Sequence, residues 1–194
     1  MLSTSFPRHE GDWAGIFVSE LARALARDHE ISVLTPSFPG ARTRDSIDGV
    51  SIRRFTYCVP TTCQRVIYPD GIPDQLKKSM LARCQVPLFL AAFVGRTVFA
   101  SSSTDVILCN WIVTGVIAYW AGFLRKRPYI VVVRGSDMKT LEKGGAIASL
   151  YKKSLRRAAA VCSVADDFVE PLKVMGLSNV HFTPNGVDTD RFAP

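Results

Sequence analysis

The sequence has little of what marks a metal site, a disulfide scaffold or a secreted chain. Its 5 cysteines form no Cys-x-x-Cys pair, and such an odd, scattered set favours reduced thiols in a cytoplasmic protein. The 3 histidines show no metal-ligand spacing to each other or to the cysteines, so we expect no metal ion. Met1 leads into LSTSFPRHEGD rather than a basic start followed by an apolar run, so no signal peptide is expected.

Common catalytic signatures are also missing. The sequence contains neither a Gly-x-Gly-x-x-Gly fingerprint nor a Walker loop, so neither dinucleotide nor P-loop chemistry is indicated. Nothing suggests a serine triad, a Cys–His dyad or a pair of catalytic carboxylates. We therefore predict no cofactor and assign no catalytic residue.

Acidic residues are outnumbered, which gives a net charge of +7 and a pI near 9.4. Phosphates and anionic lipid headgroups are plausible partners for such a chain. The basic residues are scattered without interleaved aromatic side chains, so no nucleic-acid surface is expected.

The most apolar run, residues 86–100, is too short to span a membrane and is interrupted by Gly95 and Arg96. A buried helix is one interpretation of this run. The preceding Lys77, Lys78 and Arg83 leave a second one open, in which the segment contacts the inner face of an anionic membrane.

Strand-like and helix-like segments alternate along the 194 residues, of which 47% are hydrophobic. This order predicts an α/β domain with a Rossmann-like, mostly parallel sheet and helices on both faces. The predicted strands are residues 1–6, 30–35, 49–55, 105–110, 129–134, 160–164 and 180–184. The first predicted helix, residues 16–27, places Phe17, Leu21, Ala24 and Leu25 on one helical face.

Ligands of open α/β sheets bind at the carboxyl ends of the strands, which selects four loops. In the first loop, a purely structural turn is the first interpretation, and the alternative is that its glycines allow close approach of an anion to free N–H groups. The loop after YIVVV offers a cation, a hydroxyl and a carboxylate in Arg134, Ser136 and Asp137, which suit phosphate or sugar. The alternative is that these residues cap the next helix and that Arg134 pairs with an acid.

The segments STSFPRHEGDWAG, VILCNW, YIVVVRGSD and PNGVDTDRFAP, in this order, resemble the amino-terminal half of a family 4 retaining glycosyltransferase. The resemblance implies one lobe of the two-lobed GT-B architecture. Residues 1–183 would be the acceptor-side domain, and residues 184–194 would begin the linker to a carboxy-terminal donor-binding domain that is absent here. In such relatives several apolar residues precede the segment matching STSFP, where this chain has only Met1 and Leu2.

The resemblance also implies the ligands and the site. The donor would be a nucleotide-diphosphate sugar, and the acceptor a sugar or a lipid-linked sugar in glycan or cell-envelope biosynthesis. The isolated domain is expected to be inactive, because both lobes orient the substrates. The predicted donor-phosphate or acceptor-binding residues are Gly11, Asp12, Trp13, Gly15, Asn110, Trp111, Arg134, Gly135, Ser136, Asp137, Asn185 and Gly186.

The chain departs from the family pattern at two of these loops. Many relatives have His where Arg134 stands, and Arg cannot act as a base at neutral pH, so its role stays unassigned. Many also have His at the position of Cys109 or Asn110. Two other functions stay open: a stand-alone carbohydrate- or lipid-headgroup-binding module, and a two-lobed α/β epimerase, which PNGVD fits less well. The coding sequence beyond Pro194 distinguishes the enzyme from the module.

Overall fold

The computed structural model describes residues 1–9, 11–67 and 71–186. The strands of this part are β1 Ser32–Pro36, β2 Arg44–Ile47, β3 Val50–Phe55, β4 Ile107–Asn110, β5 Tyr129–Val133, β6 Ala160–Ser163 and β7 Val180–Phe182. The helices are α1 Ile16–Leu25, α2 Ile72–Lys78, α3 Met80–Ala100, α4 Ile112–Ala121, α5 Gly135–Lys143, α6 Gly145–Arg157 and α7 Val169–Val174.

The strands form a mostly parallel sheet, as predicted. One part has the order β1-β3-β2 and the other β4-β5-β6-β7. Leu2 joins them through parallel bridges to Leu34 and Cys109. The strand predicted at residues 1–6 is reduced to these bridges, because the Ser3 hydroxyl donates to the Ser5 carbonyl and accepts from the Ser5 N–H. Such local side-chain bonds turn the chain out of a ladder.

The strand β2 was not predicted from the sequence. It is polar, lies at the sheet edge and pairs antiparallel with β3. Asp48 and Gly49 connect the two strands with φ values of 50° and 79°. A two-residue hairpin with both φ values positive is typical of Asp-Gly, so this dipeptide was the available signal.

Alternating side chains divide the core between the two faces of the sheet. One face, with Val131, Val133 and Val161, belongs to the larger cluster that also contains residues of α3, α4 and α6. On the other face α1 packs Val18 and Ala22 into a smaller cluster over β1 and β3.

The apolar face that helical spacing indicates on α1 is not the face most deeply buried against the strands. Leu21, Ala24 and Leu25 line a groove beside the sheet, whereas Phe17 both lines this groove and packs, partly buried, against the smaller cluster. The residues that pack on the strands are Val18, Ser19 and Ala22, which are at most 4% exposed. Their small side chains let the helix lie close to β1 and β3, a preference that hydrophobic spacing alone does not reveal.

The 21-residue helix α3 is apolar on both its sides. It begins after Ser79, whose hydroxyl accepts from the Ala82 N–H at 3.1 Å. Phe89 and Phe93 pack into the core, whereas Leu88 and Phe99 are 55% and 80% exposed. Within the described residues, the stretch from residue 80 to 103 is long and apolar enough to cross a membrane by length and composition, and 28% of its most apolar window is buried.

Candidate functional site at the carboxyl edge of the sheet

The ends of β4, β5 and β7 bring three predicted site residues together. Arg134, which follows β5, donates from Nη2 to Oδ1 of Asn110 at 3.4 Å, at the end of β4. Its Nη1 donates to Oδ1 of Asn185 at 3.2 Å, beyond β7. Neighbouring parallel strands end at the same edge, so loops distant in sequence meet there. We call Asn110, Arg134 and Asn185 the edge cluster.

Two aromatic rings flank the guanidinium of the edge cluster. The Cζ atom of Arg134 lies 4.1 Å from the ring centroid of Phe17 and 5.6 Å from that of Trp111. Burial lowers the pKa of Arg134 to about 10, and the charge of Asp137 opposes this shift. Arg134 therefore remains a cation at neutral pH, held against π faces that favour positive charge.

The edge cluster contains donors that lack an acceptor. Within the described residues, Nε of Arg134 and Nδ2 of Asn110 are buried without a hydrogen-bond partner. The orientation of the Asn110 amide follows from its Oδ1, which accepts from the guanidinium. In the same part of the chain, none of the ion pairs involves Arg134. The pairing with an acid that the sequence left open is thus not made there.

Trp111 holds the backbone of this edge in a strained conformation. Its φ and ψ are 68° and 152°, a region that is almost restricted to glycine and costs on the order of 1–3 kcal/mol. Its N–H donates to the Val132 carbonyl at 3.1 Å, and its carbonyl accepts from the Thr114 N–H at 3.2 Å. The ring meets Phe17 edge-on at 5.6 Å. Strain supported in this way is typical of binding sites.

Asp137 connects the amino ends of α4 and α5. Its Oδ1 accepts from the Ile112 N–H at 3.2 Å and its Oδ2 from the Arg134 N–H at 3.0 Å. Burial raises the pKa of Asp137 to about 7, although both N–H donors and the guanidinium favour the ionised form. The capping role considered for this residue is therefore present. Ser136 is exposed, and a Cβ at Gly135 would lie 3.8 Å from its nearest neighbour, which is an ordinary contact.

The first loop is held by an internal ion pair. Nε of Arg8 lies 2.7 Å from Oδ2 of Asp12, and Nη2 donates to Oδ1 at 3.1 Å. The backbone N–H groups of Arg8 and Ala14 also donate to this carboxylate. These contacts, led by the Arg8 side chain, hold the pKa of Asp12 well below its usual range. The carboxylate predicted to face a ligand thus organises its own loop.

The other predicted residues of this loop have different surroundings. Gly15 has a φ of 70°, and a Cβ there would lie 2.5 Å from the Ser5 carbonyl oxygen. A Cβ at Gly11 would meet nothing within 4 Å, and Trp13 is 81% exposed. Phe17, in the first turn of α1, connects this loop to the edge cluster by stacking on Arg134. The sequence missed this role because the spacing of Phe17 indicated a core residue.

A groove of about 1170 Å³ runs along α1 over the face of β4 to β7. Arg134, Asn185 and Gly186 line its end at the carboxyl edge, and its floor is largely apolar. The predicted linker from residue 187 onwards lies outside the described residues. Within the described ranges, no three His, Cys, Asp or Glu side chains gather as a metal site.

Comparison with known protein families identifies the family of this domain. A family model described as a glycosyl transferase 4-like domain matches residues 14–186. The chain belongs to this family. This match confirms the family that was predicted from the sequence. No curated protein matches the chain.

Solved structures support the fold of the glycosyl transferase 4-like domain. One is the sucrose-phosphate synthase of Thermosynechococcus elongatus, which is similar with a TM-score of 0.64 at 15% identity. The match covers 90% of this chain and 43% of that one. A shorter structure of the same synthase gives a TM-score of 0.62 at 16% identity, covering 99% of this chain and 91% of that one. The predicted similarity to a lobe of the GT-B architecture is therefore confirmed.

Proposed function

We propose that the chain is the acceptor-side half of a glycosyltransferase that moves a sugar, such as a hexose, from a nucleotide-diphosphate donor to an acceptor with retention. The observation that carries the proposal is the edge cluster, where a buried cation and amide meet strained backbone at the ligand-binding edge of a glycosyl transferase 4-like domain. Arg134 and Asn110 would hold polar substrate groups, while Phe17 and Trp111 exclude water around them. The acceptor would be a sugar or a lipid-linked sugar in cytoplasmic glycan or cell-envelope biosynthesis.

The division of labour between two lobes explains the chemistry this half would contribute. The described residues supply a cation and neutral donors but no group poised as a general base within the edge cluster. Their contribution is to orient the acceptor, whereas a donor-binding lobe would hold the diphosphate leaving group and no metal or organic cofactor would be needed. Orientation of both substrates is worth several orders of magnitude in rate, so the isolated half should be inactive.

The test is sugar transfer from a panel of labelled nucleotide sugars to extracted glycans and lipids. We expect no transfer by this chain alone and transfer once the donor-binding lobe is attached. Arg134→Gln in the two-lobed protein should reduce kcat/KM at least 10-fold, whereas exposed Lys153→Gln should not. Transfer by the chain alone would contradict the two-lobe proposal. Sugar binding without transfer by either form would favour a binding module.

The exposed side of α3 supports contact with an anionic membrane. Met80, Leu81, Leu88 and Phe99 are each more than half exposed on this helix. Residues 79–104 contain no acid, and Lys77 lies just before them. Apolar side chains beside cations suit the interface of an anionic bilayer, where each cation near the surface contributes about 1 kcal/mol.

Vesicle sedimentation tests the membrane contact. We expect binding to vesicles of phosphatidylglycerol and phosphatidylcholine that weakens with salt, and several-fold weaker binding for Leu88→Gln. Ile147→Gln is the matched control, because Ile147 is also an exposed apolar residue, at 62%, and belongs to α6 rather than α3. Equal binding by both variants, or no binding to anionic vesicles, would refute the contact.

A further inference from the structure

The edge cluster presents an excess of hydrogen-bond donors over acceptors. Nε of Arg134 carries one N–H and Nδ2 of Asn110 carries two, and none of them has an acceptor within the described residues. Buried polar groups are nearly always paired in native proteins. Because only donors are left over, an acceptor is what the cluster lacks.

Charge narrows the chemistry of that acceptor. Arg134 is 7% exposed and forms no ion pair in the described part of the chain. The oxygens of the neighbouring Asp137 accept hydrogen bonds from two backbone N–H groups. A desolvated guanidinium that lacks a carboxylate partner favours an anion over a neutral hydroxyl.

The groove reaches Arg134 but not Asn110, which is 0% exposed, so an anion would enter from the side of Asn185. Arg134 and Asn185 line the end of the groove, and Asn185 is exposed. Asn185 holds the guanidinium through one hydrogen bond of 3.2 Å to a neutral amide oxygen, which an anionic acceptor would outcompete. Phe17 and Trp111 cover the guanidinium through their rings and keep the site poor in water.

We infer that Arg134 and Asn110 bind a phosphate group carried by a substrate. The terminal oxygens of a phosphate can accept from all three unpaired N–H groups, and the guanidinium fork is suited to phosphate. The phosphate could belong to a phosphorylated sugar acceptor or to the donor diphosphate, and this assignment of its source rests on the proposed transferase function. The phosphate site itself does not.

Calorimetric titration of the 194-residue chain with inorganic phosphate tests the site without any activity assay. We expect saturable binding that Asn110→Asp abolishes, because the new carboxylate would pair with Arg134 from within the protein. This variant supplies an internal partner for the cation and should unfold at a higher temperature. Arg134→Lys should weaken binding at least 10-fold, since an ammonium lacks the guanidinium fork.

Arg54→Gln is the matched control. Arg54 is also buried, at 4% exposure, and lies 5.2 Å from the ring centroid of Phe38, so the change removes the same charge elsewhere. We expect it to keep phosphate binding. Equal phosphate affinity in wild type and Asn110→Asp, or an equal loss in Arg54→Gln, would overturn the site.

Two further titrations identify the source of the phosphate. A hexose 6-phosphate that binds at least 10-fold more tightly than inorganic phosphate, with loss in Asn110→Asp, indicates a phosphorylated acceptor. Tighter binding of a nucleoside diphosphate with the same loss indicates the donor. Phosphate binding by a two-lobed protein that fails to transfer sugar would refute the proposed function and leave the phosphate site standing.

Discussion

Substituting the two glycines of the first loop separates backbone strain from steric overlap. Both have left-handed backbone, with φ values of 79° at Gly11 and 70° at Gly15. An alanine in this conformation costs about 1–2 kcal/mol, and the smaller entropy of the unfolded chain returns about 0.4–1 kcal/mol. Gly11→Ala, which adds a Cβ with nothing within 4 Å, should therefore lower the free energy of unfolding by about 1 kcal/mol.

Gly15→Ala adds a clash to the same strain. Its Cβ would lie 2.5 Å from the Ser5 carbonyl oxygen and 3.0 Å from the Phe6 nitrogen. These are backbone atoms, and the Phe6 side chain is 1% exposed in the cluster under α1, so they cannot move cheaply. Overpacking of this kind costs a further 1–3 kcal/mol or so, for a total near 3 kcal/mol.

Urea unfolding of both variants at pH 7 measures the difference. We expect a lower midpoint for Gly15→Ala than for Gly11→Ala at an unchanged slope, because the surface exposed on unfolding is the same. Free energies of unfolding that agree within about 0.5 kcal/mol would show that the loop does not rest on the backbone of residues 5 and 6. The close approach of the loop to the sheet would then be refuted.

Three further predictions concern single side chains. Asp12→Asn should destabilise by about 1–3 kcal/mol at pH 7; because Arg8 lowers the pKa of Asp12 in the folded chain, this stability exists above the unfolded pKa near 4 and is lost at lower pH. Urea unfolding should show that the difference in free energy of unfolding between wild type and Asp12→Asn disappears below pH 4. The control Asp74→Asn, at an exposed residue, should differ little from wild type. Trp111→Gly should be more stable than Trp111→Ala by about 1–3 kcal/mol, because glycine relieves the strained backbone while both variants lose the ring. A lower melting temperature for Trp111→Gly than for Trp111→Ala would contradict the backbone strain. Tyr129→Phe should cost about 1 kcal/mol in the same melts, since the buried hydroxyl donates to a carbonyl of α6 at 2.6 Å, and an unchanged melting temperature would contradict that bond.

The strands of the sheet were predictable because buried strands are marked by runs of apolar residues. YIVVV has apolar residues at every position, as a strand covered on both faces requires, and it became β5 in the middle of the four-strand part. The strand β2 was missed because its side chains are polar and only the Asp48–Gly49 turn marks it. At residues 1–6 the hydroxyl of Ser3 replaced a ladder bond, which apolar patterning does not detect.

The site was predictable in position but not in its contacts. The rule for open α/β sheets selects the loops that carry Asn110, Arg134 and Asn185, and their side chains do meet. The contact of Phe17 with Arg134 was not predicted, because helical spacing shows only that Phe17 lies on an apolar face. Its position over the guanidinium is visible only in the tertiary structure. The ion pair of Asp12 with Arg8 had a local signal in their spacing of four residues, although the loop is not helical.

The residues of the edge cluster differ in how firmly the fold holds them, and this difference affects how the cluster would bind an anion. Asn110 and Arg134 sit at the ends of buried strands, and Asp137 ties the helices that follow those strands to each other. Asn185 lies on exposed chain beyond β7 and contributes one hydrogen bond, from its neutral amide oxygen. A ligand that displaces Asn185 therefore loses little, while the donors on the rigid side keep their positions and need no reorganisation. Because Arg134 and Asn110 are fixed and Asn185 can be displaced, the edge cluster favours binding of an anion over permanent pairing within the protein.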